Sequence, residues 1–313
     1  MNNMVEVKNV TKRFNDKLVL DNISFEVKKG DIFGFIGPNG AGKSTLINIM
    51  TGLLSPNSGD IELGGHSILK EPVEAKRLIG LVPQQLALME DFSAYDNLRY
   101  FGSFYGMYGK KLRERIHEVL EVTGLLYRKN EKVKKFSGGM KRRLNLAVAI
   151  IHNPKILIMD EPTVGVDPQS RNCIFEYIKK VNKEENTTVI YTSHYMEEVE
   201  LICKNIFILD SGKEVARGSK TEIKALSNMN GTIQLKVDTF DEKFLLRLKE
   251  ISGVRNVFVE DGTIKILIDE WKFQIRNLLE AAVKENIEII DFNKSEVSLE
   301  EVFLSLTGKK LRD

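Results

Sequence analysis

Hydrophobic and polar positions alternate along VEVKNV and LDNISFEV, then give way after the polar turn KKGD to IFGFIG, which is apolar throughout. Alternation predicts strands covered on one face, and the unbroken run predicts a strand covered on both. A helix is expected over LINIM, and the Pro, Asn and Gly residues of SPNSGDIELGG punctuate a short strand and a turn. From about Ala87 to His152 the period becomes helical, broken at Gly106, Gly109 and Gly124. Within it Tyr100, Phe104 and Tyr108 fall at i, i+4 and i+8. That stripe predicts core packing, with a docking surface for a partner helix as the alternative. Strand and helix patterns then alternate: KILIMD, a polar helix around Asn172 to Glu184, TTVIYTS, a helix through Met196 to Cys203, and NIFILD. This rhythm predicts a parallel, doubly wound sheet.

The rhythm breaks near Ser219 to Gly231. Beyond it, TIQLKVD, a helix from Asp241 to Ile251, VRNVFVE, the turn Asp261-Gly262, TIKILID, a helix from Glu270 to Asn286 and IEIIDFN give βαββαβ, the ferredoxin-like order. The tail SLEEVFLSLTG predicts a short amphipathic helix with Leu299, Val302, Phe303 and Leu306 on its apolar face. The expected organisation is a domain over 1–218 with a helical part at about 87–152, a linker over 219–231, and a second domain over 232–313. No phosphate loop, metal cluster or nucleophile motif occurs in the second part, so its sequence supports only a structural or regulatory role.

Composition adds little to this picture. The 313 residues suffice for one large and one small core, and 46 Lys and Arg against 44 Asp and Glu leave a net charge of +2. No broad electrostatic case for nucleic acid or an anionic membrane arises. The local exception is Arg128 to Arg143, with eight basic residues (Arg128, Lys129, Lys132, Lys134, Lys135, Lys141, Arg142, Arg143) and one acid, Glu131. A solvated surface is the first reading of that run, a nucleic-acid patch the second. Cys173 and Cys203 stand in unrelated contexts, which suits a reducing cytosol and two small buried side chains. No signal peptide is expected, and no apolar run approaches the ~20 residues of a spanning helix.

Candidate chemistry begins with GPNGAGKST, Gly37 to Thr45 (Gly37, Pro38, Asn39, Gly40, Ala41, Gly42, Lys43, Ser44, Thr45), between the apolar strand and the helix. The spacing fits G-x-x-x-x-G-K-[ST], whose backbone N–H groups cradle phosphates at a helix N-terminus. Lys43 would reach the β- and γ-phosphates, and the Ser44 hydroxyl would ligate Mg²⁺. KILIMDEP ends a second apolar strand at Asp160, a carboxylate for the Mg²⁺ shell, with Glu161 positioned to orient or deprotonate water. Two adjacent acids after a strand also fit a turn with a helix cap. His194 in TSHYMEE and Gln84 in VPQQ come after further apolar strands and are candidates for the γ-phosphate and for Mg²⁺, whereas His66, His117 and His152 carry no such position. FSGGMKRR makes another anion nest from Ser137, Gly138 and Gly139 at the start of a helix. One nucleotide scarcely needs two nests, so the second is expected to serve a nucleotide on another copy.

Taken in order, GPNGAGKST, VPQQ, FSGGM, LIMDEP, GVD and TSH resemble the Walker A, Q-loop, signature, Walker B, D-loop and switch-histidine motifs of ABC-transporter ATPase subunits, over about Val5 to Gly218. The resemblance implies an α/β P-loop NTPase with a mixed sheet, a helical subdomain and a β-rich N-terminal part, plus a small α+β ferredoxin-like domain. It implies that Phe14 stacks on adenine, Gly37 to Thr45 hold phosphates, and Ser44, Gln84 and Asp160 serve Mg²⁺. Glu161 would be the base, His194 the γ-phosphate sensor, Ser137 to Gly139 the clamp on the ATP of the opposite subunit, and Asp167 the link between sites. Phe136 and Met140 depart from the usual LSGGQ, and Phe14 stands where tyrosine is commoner. The C-terminal part, ending in EEVFLSLTG, resembles that of the drug-exporter ABC-2 subfamily. The implied protein is a cytoplasmic ATPase subunit, dimeric, using ATP and Mg²⁺ to power a separate membrane permease, an exporter, with no nucleic acid expected. The alternative is a soluble ATPase of the same superfamily acting on nucleic acid or ribosomes, with the basic run as its support.

Overall fold

The structure is a computed structural model that describes residues 3–226, 231–260, 262–269, 272–295 and 298–308. Residues up to Arg217 pack as one compact unit and those from Gly218 as another. The first unit opens with β1 (Asn3–Phe14) and β2 (Lys17–Lys28), an antiparallel pair. Then come β3 (Ile32–Ile36), α1 (Lys43–Met50), β4 (Ser58–Leu63), β5 (His66–Ser67), α2 (Pro72–Arg77) and β6 (Ile79–Val82). The helical part holds α3 (Ala94–Phe104), α4 (Gly109–Val122) and α5 (Gly138–Ile150). The chain returns through β7 (Ile156–Asp160), α6 (Pro168–Glu185), β8 (Thr188–Thr192), α7 (Met196–Ile202), β9 (Asn205–Asp210) and β10 (Lys213–Ser219).

Two sheets result, β2-β1-β4-β5 and β10-β9-β3-β8-β7-β6. In the second, β6, β7, β8, β3 and β9 are parallel neighbours, and β3, β7 and β8 are buried along their whole length, as their apolar runs predict. The alternating inner faces of β1 and β2 join this sheet in one core. Phe25 stacks on Phe33 with ring centroids 5.5 Å apart and meets Phe207 at 4.6 Å, with Leu46, Ile47, Ile49 and Met50 of α1 in the same cluster. Each such side chain contributes about 1.5–3 kcal/mol by leaving water.

The aromatic stripe is the clearest departure from expectation. Tyr100, Phe104 and Tyr108 are 49%, 67% and 68% exposed, so they are not core. Nor do they share a helix. α3 ends at Phe104, Gly106 and Gly109 take positive φ of 70° and 62°, and Tyr108 becomes the residue before α4. Of the cysteines, Cys203 is buried and Cys173 only half-buried.

The second unit contains α8 (Lys220–Leu226), β11 (Gly231–Val237), α9 (Glu242–Glu250), β12 (Val254–Glu260), β13 (Thr263–Ile268), α10 (Ile275–Lys284), β14 (Ile289–Ser295) and α11 (Leu299–Thr307). Its sheet order, β12-β13-β11-β14, with the first strand between the third and fourth, is the ferredoxin-like arrangement. Phe244 and Leu248 of α9 and Leu278, Ala281 and Ala282 of α10 cover Ile233, Leu235, Ile264 and Ile266. Residues 220–226, expected as linker, are helical, and α8 packs on α11, which a Ser298/Glu301 capping box starts. Asp261, Glu270 and linker residues 227–230 lie outside the described residues. Among the described residues no helix is long and apolar enough to cross a membrane.

Candidate functional site

Parallel strands deliver the residues at their carboxyl ends to one edge of a sheet, and here four strands do so together. β3 leads into Gly37 to Thr45, β6 into the segment of Gln84, β7 into Glu161 and β8 into the segment of His194. The register sets Phe35 beside Thr192 and Thr192 beside Asp160. At Gly37 a Cβ would lie 2.2 Å from the Leu209 carbonyl oxygen, and Gly42 has φ 110°, so neither position admits a side chain. Gly42 starts α1 with no side-chain cap, and Ser44 of the first turn is exposed. The first-turn N–H groups are thus offered to an anion. Lys43 is buried beneath them, its Nζ donating to the carbonyls of Gly37 at 2.6 Å and Pro38 at 3.1 Å. Burial pulls the Lys43 ammonium below its ordinary pKa, and the charges of Glu161 and Asp160 restore part of it.

Around Glu161 the expected residues meet. Gln84 Nε2 donates to its Oε2 at 2.8 Å, and His194 Nε2 contacts Oε1. Burial alone would push the Glu161 carboxyl up. The His194 contact, the charges of His194 and Lys43 and the Gln84 bond outweigh it and hold the group below the ordinary carboxylate value. Asp160 moves the other way: burial and the Glu161 charge raise it, against the Thr192 hydroxyl, Lys43 and His194. Neither acid caps a helix, since α6 begins with Asp167 as its cap, so the turn-and-cap reading of the pair does not hold.

Two features at this edge escaped the sequence. Glu161 has φ 49°, a left-handed conformation that costs a non-glycine residue roughly 1–2 kcal/mol. Thr192 fixes it: its hydroxyl accepts from the Glu161 N–H at 2.9 Å and donates to Asp160 Oδ1 at 2.9 Å. Thr192→Val keeps the shape and leaves a buried N–H unpaired, so it is expected to lower stability by about 1–3 kcal/mol in urea unfolding. The second feature is α5. Arg142 donates to the carbonyls of Pro83 at 3.1 Å and Gln84 at 2.8 Å, and Asn145 Nδ2 to Pro83 at 3.4 Å, tethering the Gln84 segment to the helix that Ser137 caps. Arg142 is buried and its pKa lowered by burial, with Glu161 opposing.

The basic run is accordingly dispersed. Arg142 and Arg143 turn to backbone carbonyls, and Arg128, Lys134 and Lys141 pair with Glu131, Asp91 and Glu90. Lys129, Lys132 and Lys135 stay exposed, and three lysines are weak support for the nucleic-acid alternative.

The remaining candidates stand elsewhere. Ser137 and Gly138 are exposed at the start of α5, and Ser137 Oγ accepts from Met140 N–H at 3.3 Å. Gly139 faces the start of α6: a Cβ there would lie 2.3 Å from Asp167 Oδ2 and 2.5 Å from Ser170 Oγ. Asp167 caps α6 through Ser170 N–H at 2.9 Å, and that bond with the Ser170 hydroxyl lowers its pKa. Met140, in place of the usual glutamine, is buried. Phe14 is exposed, with Lys12 Nζ 5.1 Å from its ring centroid.

Comparison with known proteins agrees with this geometry. Residues 20–164 match the family described as ABC transporter, and residues 218–307 the family described as ATP-binding protein DrrA1-3-like, C-terminal domain. The linearmycin resistance ATP-binding protein LnrL of Bacillus subtilis is 44% identical over 99% of this chain and 100% of its own. A Nod factor export ATP-binding protein I of Cupriavidus metallidurans is 34% identical over all of both chains. Among solved structures, a dimeric post-hydrolysis ATP-binding cassette, MJ0796 bound to ADP and Pi, superposes with TM-score 0.64 at 30% identity, covering 69% of this chain and 98% of that one. The chain belongs to the ABC transporter ATP-binding proteins, and it is an ATP-hydrolysing subunit of that family.

Proposed function

We propose that two copies of this chain close around two ATP molecules, each copy giving its phosphate loop to one nucleotide and Ser137 to Gly139 to the other, and that the cycle drives a separate membrane permease. The observation that carries the reading is that the two nests have different surroundings: Lys43 of the first feels the charges of Glu161, which Gln84 and His194 contact, and of Asp160, while in the second Ser137 and Gly138 are exposed and Gly139 packs on the Asp167 cap. In this reading Glu161 takes the proton of the attacking water, His194 senses the γ-phosphate, Asp167 links the two sites and Phe14 stacks on adenine. Mg²⁺ fits the donor set: a hydroxyl (Ser44), an amide oxygen (Gln84) and a carboxylate (Asp160) are hard oxygen ligands. Among the described residues no group of three His, Cys, Asp or Glu could hold a metal, so the ion would arrive with the phosphates that complete its shell. Bound there, it would supply charge stabilisation at the phosphoryl oxygens.

The direction is outward. Two relatives carry resistance and export in their names, and substrate choice belongs to the permease. The subunit would then sit at the cytoplasmic face of the membrane through that partner. The docking surface lies on the helical part, where exposed Tyr100 and Phe104 and half-buried Phe101 make an edge-to-face cluster beside a groove of about 310 Å³ lined by Leu53, Leu81, Ala87, Phe101, Tyr105 and Val148. A tagged Glu161→Gln form, trapped with ATP in its native cells and solubilised in mild detergent, is expected to bring down a polytopic membrane protein in stoichiometric amount. Adding Phe104→Asp is expected to abolish the capture, leaving the isolated subunit's ATPase unchanged in the otherwise wild-type chain. Ribosomes or nucleic acid in place of a membrane protein would overturn the transporter reading.

A further inference from the structure

We infer that Glu198 is a positioning residue for hydrolysis, holding the His194 segment and the loop from Glu161 to Asp167 in one arrangement. The inference rests on the proposed roles of Glu161 and His194. Glu198 stands on α7, four residues beyond His194, and is 3% exposed. A buried carboxylate is costly unless hydrogen bonds replace its water. Here three hydroxyls do so at one oxygen: Oε2 accepts from Ser193 Oγ at 2.6 Å, Tyr191 Oη at 2.8 Å and Thr163 Oγ1 at 2.8 Å. Arg171 Nη1, in the first turns of α6, lies 3.8 Å from Oε1.

The donors come from both sides of the site. Ser193 immediately precedes His194. With its proton committed to Glu198, its oxygen accepts from the Tyr195 N–H at 2.9 Å, so the residues on either side of His194 are tied to one atom. Thr163 lies two residues after Glu161. Its carbonyl accepts from Val166 N–H at 3.2 Å, and the turn leads directly to Asp167. Burial and Glu198 together push the Tyr191 phenol well above its ordinary pKa, so it stays a donor. Glu198 is thus the shared acceptor of two segments that carry chemistry, while its own side chain belongs to a third. Gln at this position has the same shape but loses the charge that orders three hydroxyl protons, and its amide N–H₂ competes with them as a donor.

The test uses the full chain, with single-turnover and steady-state phosphate release from ATP and Mg²⁺. Glu198→Gln is expected to lower turnover about tenfold or more, with KM for ATP within about twofold of wild type. In a His194→Ala background the same substitution is expected to cost clearly less than in the wild-type chain, because the route through His194 has nothing left to position and only the route through Thr163 to the Glu161 loop remains. A merely structural role would lower the active fraction equally in both backgrounds. If Glu198→Gln fails to fold, judged by circular dichroism, Ser193→Ala serves: a fall of about threefold or more is expected, again absent without His194. Turnover within about twofold of wild type for Glu198→Gln, or for Ser193→Ala where it serves, or losses that multiply with His194→Ala, would overturn the inference. Full turnover in His194→Ala alone would refute the role of His194 itself, and with it this route from Glu198; the two failures differ in which variant is silent.

Discussion

Glu161→Gln is expected to bind ATP as the wild-type chain does, to lose turnover by about two to four orders of magnitude, and to accumulate as an ATP-dependent dimer. The geometry argues each part. Glu161 is held below the ordinary carboxylate pKa of 4.5 despite its burial, so the proton-accepting form is present throughout the neutral range. Gln keeps the shape and one acceptor oxygen for Gln84 or His194, and it cannot take a proton. The phosphate loop, in contrast, keeps its Lys43 and its first-turn N–H groups, so binding survives. Closure around two nucleotides then has no exit through hydrolysis. The pH dependence has a definite sign. A lowered pKa keeps Glu161 deprotonated as pH falls, so an acid limb of turnover set by Glu161 is expected below the ordinary carboxylate range wherever the fold persists. Phosphate release, equilibrium ATP binding and light scattering at saturating ATP and Mg²⁺ measure the three claims. Wild-type turnover would remove Glu161 as the base, and a monomer under those conditions would count against the two-copy arrangement.

Legibility in the sequence tracked the physics of each position. β3, β7 and β8 were readable because strands buried on both faces are largely apolar, and the meeting of Gln84, Glu161 and His194 was readable because parallel strands end together. What failed was direction. The spacing of Tyr100, Phe104 and Tyr108 says that three rings share a face of a helix, but not whether that face is inside, nor that the helix ends at Phe104, with Gly106 at positive φ, before Tyr108 is reached. Arg142 counts as surface charge in any tally of Arg128 to Arg143, yet it is turned to the carbonyls of Pro83 and Gln84, because buried backbone acceptors beside it need a donor. Thr192 looks like an ordinary β-branched strand residue. Its hydroxyl matters only because the register places it opposite Asp160 and next to the strained Glu161 backbone, a juxtaposition absent from local pattern. Residues 220–226 read as linker because their composition is polar, and the helix there depends on a partner about eighty residues away in α11.

Lys43→Ala is expected to weaken ATP binding by about 2–5 kcal/mol, roughly 30- to 4,000-fold in Kd, with the fold intact. Two opposed effects decide the second clause. Removing a buried ammonium abolishes its desolvation cost, which is what lowers the Lys43 pKa, while the Gly37 and Pro38 carbonyls lose their donor. These offset, and the thermal midpoint is expected to move by only a few degrees. The first clause has no such offset. The loop's N–H groups carry partial charges, whereas Lys43 is the full positive charge beneath them, opposed by the nearby acids Asp160 and Glu161. Without it, a polyanion would meet the carboxylates of Asp160 and Glu161 with the Lys43 charge that faces them removed. Isothermal titration of the variant with ATP, alongside a thermal melt, separates the two clauses. A collapsed melt would mean that Lys43 is chiefly a structural strut for the loop, and unchanged affinity with an intact melt would sink the assignment of Gly37 to Thr45 as the phosphate site.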